Sequence, residues 1–115
     1  MSTKIYHNPR CSKSRQTLAL LTDNGITPQI VEYLKDAPTA GEIKGLIKML
    51  GLTSARELMR KGELIYKELG LKDVDDEERL IRAMVENSKL IERPIVIKDG
   101  KAIIGRPPEL VLSIL

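Results

Sequence analysis

Aromatic side chains are scarce in this sequence of 115 residues, which contains three tyrosines, no phenylalanine and no tryptophan. Proteins that bind single-stranded nucleic acids stack the bases on aromatic side chains, so this class of ligand is disfavoured. The 19 basic and 16 acidic residues are interspersed and give a formal net charge of +3, which is too small to indicate a nucleic-acid or membrane surface. We therefore expect no nucleic acid and no membrane among the partners.

Long apolar runs are also missing. No stretch approaches the roughly 20 apolar residues that span a bilayer, and no N-terminal segment has the apolar centre of a secretory signal. The sequence has one cysteine, Cys11, which cannot form an internal disulfide. We expect a monomer in the reducing cytoplasm, folded as one domain over residues 1–115 around a core of aliphatic side chains.

The chain also lacks the residues for two familiar chemistries. It has one histidine, His7, and one cysteine, whereas a zinc site needs three or four ligands in close array. A cysteine phosphatase needs an arginine six positions after its cysteine, and that position holds Thr17. We expect no metal and no bound cofactor.

Cys11 lies in the most informative segment of the chain, the run His7-Asn8-Pro9-Arg10-Cys11-Ser12-Lys13-Ser14-Arg15. This run joins a predicted strand to a predicted helix. Backbone N–H groups at a helix start lack intrahelical partners and stabilise a thiolate, and the basic neighbours add to the effect. The position alone leaves two interpretations open: a nucleophilic cysteine, which the basic neighbours indicate, and a small buried apolar side chain.

The hydrophobic pattern predicts an α/β fold. Strands are predicted at 4–6, 28–34, 94–98 and 101–105, with a type I′ turn at Asp99-Gly100. Helices are predicted at 12–24, at 43–50 after a capping box at 39–42, at 75–87 and at 108–114, with a short helical turn from 54. In the first helix, Leu18, Ala19, Leu21 and Thr22 are expected on the apolar face.

This order of elements, a strand-helix-strand half followed by a strand-strand-helix half, predicts a thioredoxin-like fold (βαβ…ββα). Its mixed sheet would have a parallel first pair of strands, joined by a right-handed crossover, and an antiparallel last pair. Residues from about 36 to 90 would then form a mainly helical insertion.

The thiol has no partner within the chain, because Ser14 occupies the position three residues after Cys11. A disulfide formed at Cys11 must be resolved by an outside thiol, such as glutathione or a glutaredoxin. For a typical cysteine, lowering the thiol pKa by about two units increases the thiolate fraction at pH 7 about 25-fold. The thiolate becomes less nucleophilic as its pKa falls, so the net gain in reaction rate is only about threefold. Positioning of an electrophile must therefore contribute more than thiol activation.

Three arginines are candidates for that role: Arg60, Arg93 and Arg106. Arginine is a planar, permanently charged donor that suits tetrahedral oxyanions. Arg93 and Arg106 each precede a proline, which favours extended or turn backbone at the two ends of the predicted hairpin. In a thioredoxin-like fold, Arg93-Pro94 would lie beside the first strand-helix junction, where a cis proline is usual. Each arginine alone could also be an ordinary solvated side chain.

The chain resembles the glutaredoxin-dependent arsenate reductases of the ArsC family. The similarity lies in the run around Cys11 and in the segments Glu32-Tyr33-Leu34, Leu58-Met59-Arg60-Lys61, Tyr66-Lys67-Glu68-Leu69-Gly70-Leu71, Arg93-Pro94-Ile95-Val96 and Gly105-Arg106-Pro107. These matches span nearly the whole length in order.

The resemblance implies reduction of arsenate to arsenite, with glutathione as co-substrate and glutaredoxin as the partner protein. Cys11 would be the nucleophile, His7 would favour its thiolate, and Arg60, Arg93 and Arg106 would hold the oxyanion. The supporting residues would be Asn8, Ser14, Arg15 and Pro94. Two roles remain open for Ser14, a hydrogen bond to the sulfur or a cap of the helix, and His7 has a purely structural alternative.

The sequence departs from the better-known members of the family at Arg10, Ser12 and Lys13, where those proteins tend to have smaller residues. Either this charge assists anion capture, or it distinguishes a paralogue with another substrate. Two further functions remain alternatives: a redox-linked, non-enzymatic regulator or interaction module, and a monothiol oxidoreductase that acts on glutathione mixed disulfides.

Overall fold

The computed structural model describes residues 3–115, and its contacts divide the chain into two compact units. The first unit contains the described part of Met1–Asp36 together with Arg93–Leu115. The second unit is Ala37–Glu92, which corresponds to the segment predicted as an insertion.

The first unit is built on a four-stranded sheet within the described chain. The strands are β1 (Thr3–Tyr6), β2 (Gln29–Val31), β3 (Ile95–Lys98) and β4 (Lys101–Ile104), and helix α1 (Ser12–Asp23) connects β1 to β2. Their order is β2-β1-β3-β4, with β1 parallel to β2 and with β3 antiparallel to both β1 and β4. This topology confirms the predicted thioredoxin-like arrangement.

The β3–β4 hairpin has the predicted turn. Asp99 and Gly100 have positive φ angles of 53° and 77°, as a type I′ turn requires. Ile95 pairs with Ile104 at the open end of the hairpin. The residues before β3 and after β4 therefore lie side by side, although the hairpin separates them in sequence.

Strand β2 is shorter than the predicted 28–34. Its pairing partner β1 ends at Tyr6, which pairs with Val31, and the His7 N–H then donates to the Val31 carbonyl at 2.8 Å. After this point Glu32 begins a turn, in which its carbonyl accepts from Lys35 N–H at 2.9 Å. The alternating pattern continues past the point at which the neighbouring strand ends, so the prediction was too long.

The predicted apolar face of α1 was also partly wrong. The buried residues of α1 are Ser14, Thr17 and Leu21, whereas Ala19 and Thr22 are exposed. Ser14 and Thr17 tolerate burial because their hydroxyls have hydrogen-bond partners; Thr17 Oγ1, for example, donates to the Lys13 carbonyl at 2.8 Å. The core of this unit is a cluster of Ile5, Leu21, Val96 and Val111. Val111 comes from the C-terminal segment Pro108–Ile114, which is a 3₁₀-helix.

The second unit is helical. It contains α2 (Ala40–Met49), α3 (Leu64–Glu68) and α4 (Glu77–Glu86), with 3₁₀-helices at Ala55–Leu58, Leu71–Asp73 and Ser88–Leu90. The capping box is confirmed, since Thr39 Oγ1 accepts from Glu42 N–H at 3.1 Å and Glu42 Oε1 accepts from Thr39 N–H at 3.0 Å. Helix α3 was not predicted. Among the described residues, no helix is both long and apolar enough to cross a membrane.

An isolated antiparallel bridge between Met59 and Ile91 ties together two segments of the second unit. Glu92 N–H donates to the Leu58 carbonyl at 2.8 Å, and Arg60 N–H donates to the Leu90 carbonyl at 2.7 Å. These two bonds lie on either side of Met59, and one of them fixes the backbone of Arg60.

A partly buried group of hydrogen bonds around Arg56 stabilises the same unit. The Arg56 guanidinium donates to Tyr66 Oη at 2.7 Å and to the Leu71 carbonyl at 2.9 Å, and it also bonds the Val74 carbonyl. These acceptors account for the partial burial of the cationic side chain, because a buried charge requires hydrogen-bond partners. Arg56 is thus a structural arginine.

Candidate active site

Cys11 occupies the N-cap position of α1 and is only 9% exposed. Its backbone is extended, with φ −93° and ψ 122°, and its carbonyl accepts the first helical hydrogen bond from Arg15 N–H at 3.0 Å. Cys11 therefore stands at the helix start, beside backbone N–H groups that have no intrahelical partner.

The surroundings of Cys11 favour its ionised form. Burial raises the pKa of the Cys11 thiol, but hydrogen bonds from the backbone of Ser14 and Lys13 and the nearby Arg93 guanidinium lower it by more. Arg93 acts both through its charge and through a side-chain hydrogen bond to the sulfur. The net result is a Cys11 pKa below the ordinary value, which is the property of a nucleophilic thiolate.

Strand register brings Arg93 to this position. Tyr6, at the end of β1, pairs with Ile95, at the start of β3. The loop that leads to Cys11 and the segment that precedes β3 therefore meet at the same end of these two strands. The Arg93–Pro94 peptide bond is cis, as expected for this place in the fold, and Pro94 is buried.

Arg106 approaches the same place from β4. Its Nη1 lies 3.5 Å from the Arg93 carbonyl oxygen, and its own peptide bond to Pro107 is also cis. The side chain is exposed, so its remaining N–H groups are open to a solute. The two arginines that precede prolines are therefore neighbours in the first unit, beside the cysteine loop.

Gly105 makes this approach possible, and sequence reasoning did not identify it as a site residue. A Cβ atom at Gly105 would lie 2.7 Å from Thr17 Oγ1 and 3.1 Å from Pro94 Cγ. Gly105 N–H also donates to the Pro94 carbonyl at 2.9 Å. Only glycine fits between α1 and Pro94, and this contact sets the path of the chain into Arg106. The position of this glycine between a strand and an Arg-Pro pair was the available signal.

Ser14 takes neither of the two roles considered for its hydroxyl. Its Oγ lies 2.6 Å from His7 Nδ1 and accepts from Asn8 N–H at 3.0 Å, and the side chain is fully buried. The hydroxyl therefore links His7 and Asn8 to the first turn of α1. The backbone N–H of Ser14, rather than its side chain, is the group that acts on the sulfur.

His7 is buried and favours the neutral imidazole. Burial lowers the pKa of His7, Glu32 opposes this with its negative charge, and the positive charge of Arg15 lowers the pKa further. A neutral imidazole supplies no full positive charge to a thiolate. The observed contact of His7 is with Ser14, so the ring supports the segment that carries the helix start.

Asn8 and Arg15 hold the loop that precedes Cys11. The Asn8 carbonyl accepts from Cys11 N–H at 3.0 Å, and its side-chain Oδ1 accepts from Arg10 N–H at 3.0 Å. From the helix, Arg15 Nη1 donates to the Pro9 carbonyl at 2.9 Å. These bonds close the loop around the cysteine.

Arg60 belongs to the second unit, where its Nη1 forms an ion pair with Glu63 Oε1 at 2.6 Å. Sequence reasoning selected Arg60 but not Glu63. In the described residues, no group of three or more His, Cys, Asp and Glu side chains is placed to hold a metal ion.

A thioredoxin-like sheet with one cysteine of lowered pKa at a helix start, next to two arginines, defines a class of thiol-dependent proteins that act on anions. A family model described as the ArsC family matches residues 6–114. The chain belongs to the ArsC family.

Similar proteins support this placement. "Uncharacterized protein YfgD" of Escherichia coli is 60% identical over 113 residues, which cover 97% of this chain and 95% of that protein. An arsenate reductase of Haemophilus influenzae is 51% identical over 116 residues and is matched over 100% of both chains. A solved structure of an arsenate reductase from Vibrio cholerae is similar with a TM-score of 0.97 and 54% identity, over 100% of this chain and 98% of that chain.

Proposed function

We propose that this protein is an arsenate reductase that uses Cys11 as its single catalytic cysteine, with glutathione and glutaredoxin as the source of electrons. The observation that carries the proposal is the position of Cys11 at the start of α1, where the nearby Arg93 helps to lower the pKa of its thiol. Membership of the ArsC family and similarity to proteins named arsenate reductase support it.

The reaction balances with one protein thiol and one glutathione. The Cys11 thiolate attacks arsenic(V), an arsenate oxygen leaves as water, and a sulfur–arsenic bond forms. Glutathione then supplies the second sulfur, two electrons pass to arsenic, and arsenite leaves while Cys11 and glutathione form a mixed disulfide. A glutaredoxin thiol attacks the glutathione sulfur and releases the Cys11 thiol.

The arginines supply the charge that the reaction needs. Arg93 lies next to the sulfur, and Arg106 lies next to Arg93, so both can hold oxyanion oxygens while the sulfur attacks. By the family resemblance, Arg60 would also bind an oxyanion. Arg10 and Lys13 are exposed beside Cys11 and add positive charge at the mouth of the site.

The test is reconstitution with arsenate, glutathione, glutaredoxin and a system that regenerates reduced glutathione. We expect arsenite formation that requires all components, and no activity above background for Cys11→Ser. The intact protein incubated with arsenate and glutathione should carry one glutathione on Cys11. If wild type and Cys11→Ser perform alike, the proposal is wrong.

The source of electrons needs its own control. Omission of glutaredoxin should stop turnover after one equivalent of arsenite per protein, because the mixed disulfide at Cys11 then persists. Multiple turnovers with thioredoxin in place of both glutathione and glutaredoxin would contradict the proposed reductant. Reduction of a small glutathione mixed disulfide without any arsenate activity would instead identify the monothiol oxidoreductase.

A further inference from the structure

The second unit contains an open cavity of about 630 Å³ beside α3. This volume falls within the range of roughly 300–1,000 Å³ that is usual for sites of small organic ligands. The walls of the cavity are mostly apolar. The polar and charged side chains that line it come from one stretch of the chain and are Arg56, Lys61, Tyr66, Lys67, Lys72 and Asp73.

Three exposed lysines give the cavity a positive charge. Lys61, Lys67 and Lys72 all line it, and none of them belongs to an ion pair within the described part of the chain. Asp73 is the one acidic residue among the described residues of the lining. An anion in this cavity would therefore meet several cations that have no carboxylate partner of their own.

The Arg56 guanidinium adds a further charge that no carboxylate neutralises. Its acceptors in the described chain are Tyr66 Oη and the carbonyls of Leu71 and Val74, which are neutral groups. These bonds order the side chain but leave its full charge in place, and its partial burial reduces the screening by water and salt. The wall of the cavity therefore carries an ordered positive charge in addition to the flexible lysines.

Tyr66 supplies a hydrogen-bond donor at the same wall. Its Oη accepts from Arg56 Nη1 at 2.7 Å, and its own hydroxyl hydrogen has no acceptor among the residues that the structure describes. A hydroxyl that accepts from a cation is polarised and becomes a stronger donor. Such a donor bonds most strongly to an anionic acceptor.

We propose that this cavity is a binding site for a small organic anion that carries two or more negative charges on an apolar or aromatic body. The lysines and the Tyr66 hydroxyl bind the anionic groups, and the apolar walls cover the body of the ligand. A bare inorganic ion would leave most of the volume and the apolar walls in water. The proposal is independent of the arsenate chemistry at Cys11, which lies in the first unit.

Titration of the full-length protein with three probes separates the two parts of the ligand. 1-Naphthyl phosphate is a dianion on an apolar body at pH 8, inorganic phosphate has the charge alone, and 1-naphthol has the body alone. We expect 1-naphthyl phosphate to bind at least about tenfold more tightly than either of the others, because it alone satisfies both the cations and the apolar walls. Calorimetry gives the affinities, and the backbone amide signals that shift in NMR spectra should belong to residues 56–73.

Two variants test the cations of the site. The double variant Lys67→Gln, Lys72→Gln removes two charges from the exposed part of the lining, so the fold should be retained. Lys48→Gln is the matched control, since Lys48 is an exposed lysine of α2 that does not line the cavity. We expect about tenfold weaker binding of 1-naphthyl phosphate by the double variant, and binding within about twofold of wild type by Lys48→Gln.

Three results would overturn the proposal. If inorganic phosphate binds as tightly as 1-naphthyl phosphate, the apolar walls take no part and the ligand class is wrong. If 1-naphthol binds as tightly, the cations take no part. Equal affinities of wild type and the double variant, or shifted signals confined to the segment around Cys11, would show that the probe does not bind in this cavity.

Discussion

The Ser14 hydroxyl and His7 Nδ1 are joined by a hydrogen bond of 2.6 Å between two buried side chains. The same hydroxyl accepts from Asn8 N–H. One oxygen atom on α1 therefore anchors the start of the cysteine loop, and the backbone N–H of the same residue stabilises the sulfur. Loop architecture and thiol ionisation are two separable functions of Ser14.

Ser14→Ala tests this separation. Loss of the hydroxyl leaves buried polar groups of His7 and Asn8 without their partner, which should lower the free energy of unfolding by about 1–3 kcal/mol. The backbone N–H remains, so the pH dependence of Cys11 alkylation should stay close to that of wild type. Urea unfolding and alkylation rates measure the two effects. Ser12→Ala, at an exposed neighbouring position, is the control and should change neither.

Arg93 variants test the charge beside the sulfur. Arg93→Ala should raise the Cys11 pKa, because it removes both a positive charge and a hydrogen bond to the thiolate. We also expect a loss of arsenate kcat/KM on the order of 10²-fold. Arg93→Lys should keep much of the low pKa but recover little activity, since lysine lacks the bidentate fork. Equal activity in all three proteins would refute an oxyanion role. Exposed Arg82 on α4 offers a matched Arg82→Ala control.

The ionisation of Cys11 should make stability depend on pH. Its folded-state pKa is lower than the unfolded value, so the thiolate stabilises the folded protein fully above the unfolded pKa, and this stabilisation is lost as pH falls through the folded pKa. The difference in unfolding free energy between wild type and Cys11→Ser should therefore increase in favour of wild type as pH rises across this window. A difference independent of pH would show that the folded protein does not perturb the thiol.

Gly105→Ala tests the close packing behind the arginine pair. Its Cβ would meet Thr17 Oγ1 at 2.7 Å, and we expect destabilisation of about 1–3 kcal/mol together with reduced arsenate turnover. Thr17→Ala should partly rescue Gly105→Ala, because it removes the atoms that clash. Thermal unfolding of the double-mutant cycle gives the coupling energy. Gly45 in α2 has open space, so Gly45→Ala should instead stabilise by up to about 1 kcal/mol.

The sequence predicted those elements whose signals are local. The capping box at Thr39, the Asp99-Gly100 turn and the helix start at Cys11 each depend on a few neighbouring residues, and all three are present in the structure. The end of β2 and the buried face of α1 depend on which elements pack against them. Hydrophobic periodicity carries no such information, and both predictions were partly wrong.

In the candidate site, too, the features set by neighbouring residues were predictable and those set by packing between segments were not. Cys11 was recognisable from its basic neighbours and its position, and the Arg-Pro pairs indicated Arg93 and Arg106. The partner of Ser14 was not recognisable, because it depends on how the loop folds back on α1. The position of Gly105 before an Arg-Pro pair was a signal, but the reason for a glycine, its contact with Thr17, depends on a segment distant in sequence. The sequence did not identify Glu63 as the ion-pair partner of Arg60, because an acidic residue three positions after an arginine is common on protein surfaces.

The pairing of Tyr6 with Ile95 links chemical reactivity to completion of folding. This register joins one of the first segments of the chain to one of the last, and it is what brings Arg93 to Cys11. Before the sheet forms, the cysteine lacks this arginine and the ordered N–H groups of α1, and it has an ordinary thiol that is mostly protonated at neutral pH. A newly made chain therefore carries a less ionised thiol at Cys11 than the folded protein does, until the sheet has assembled.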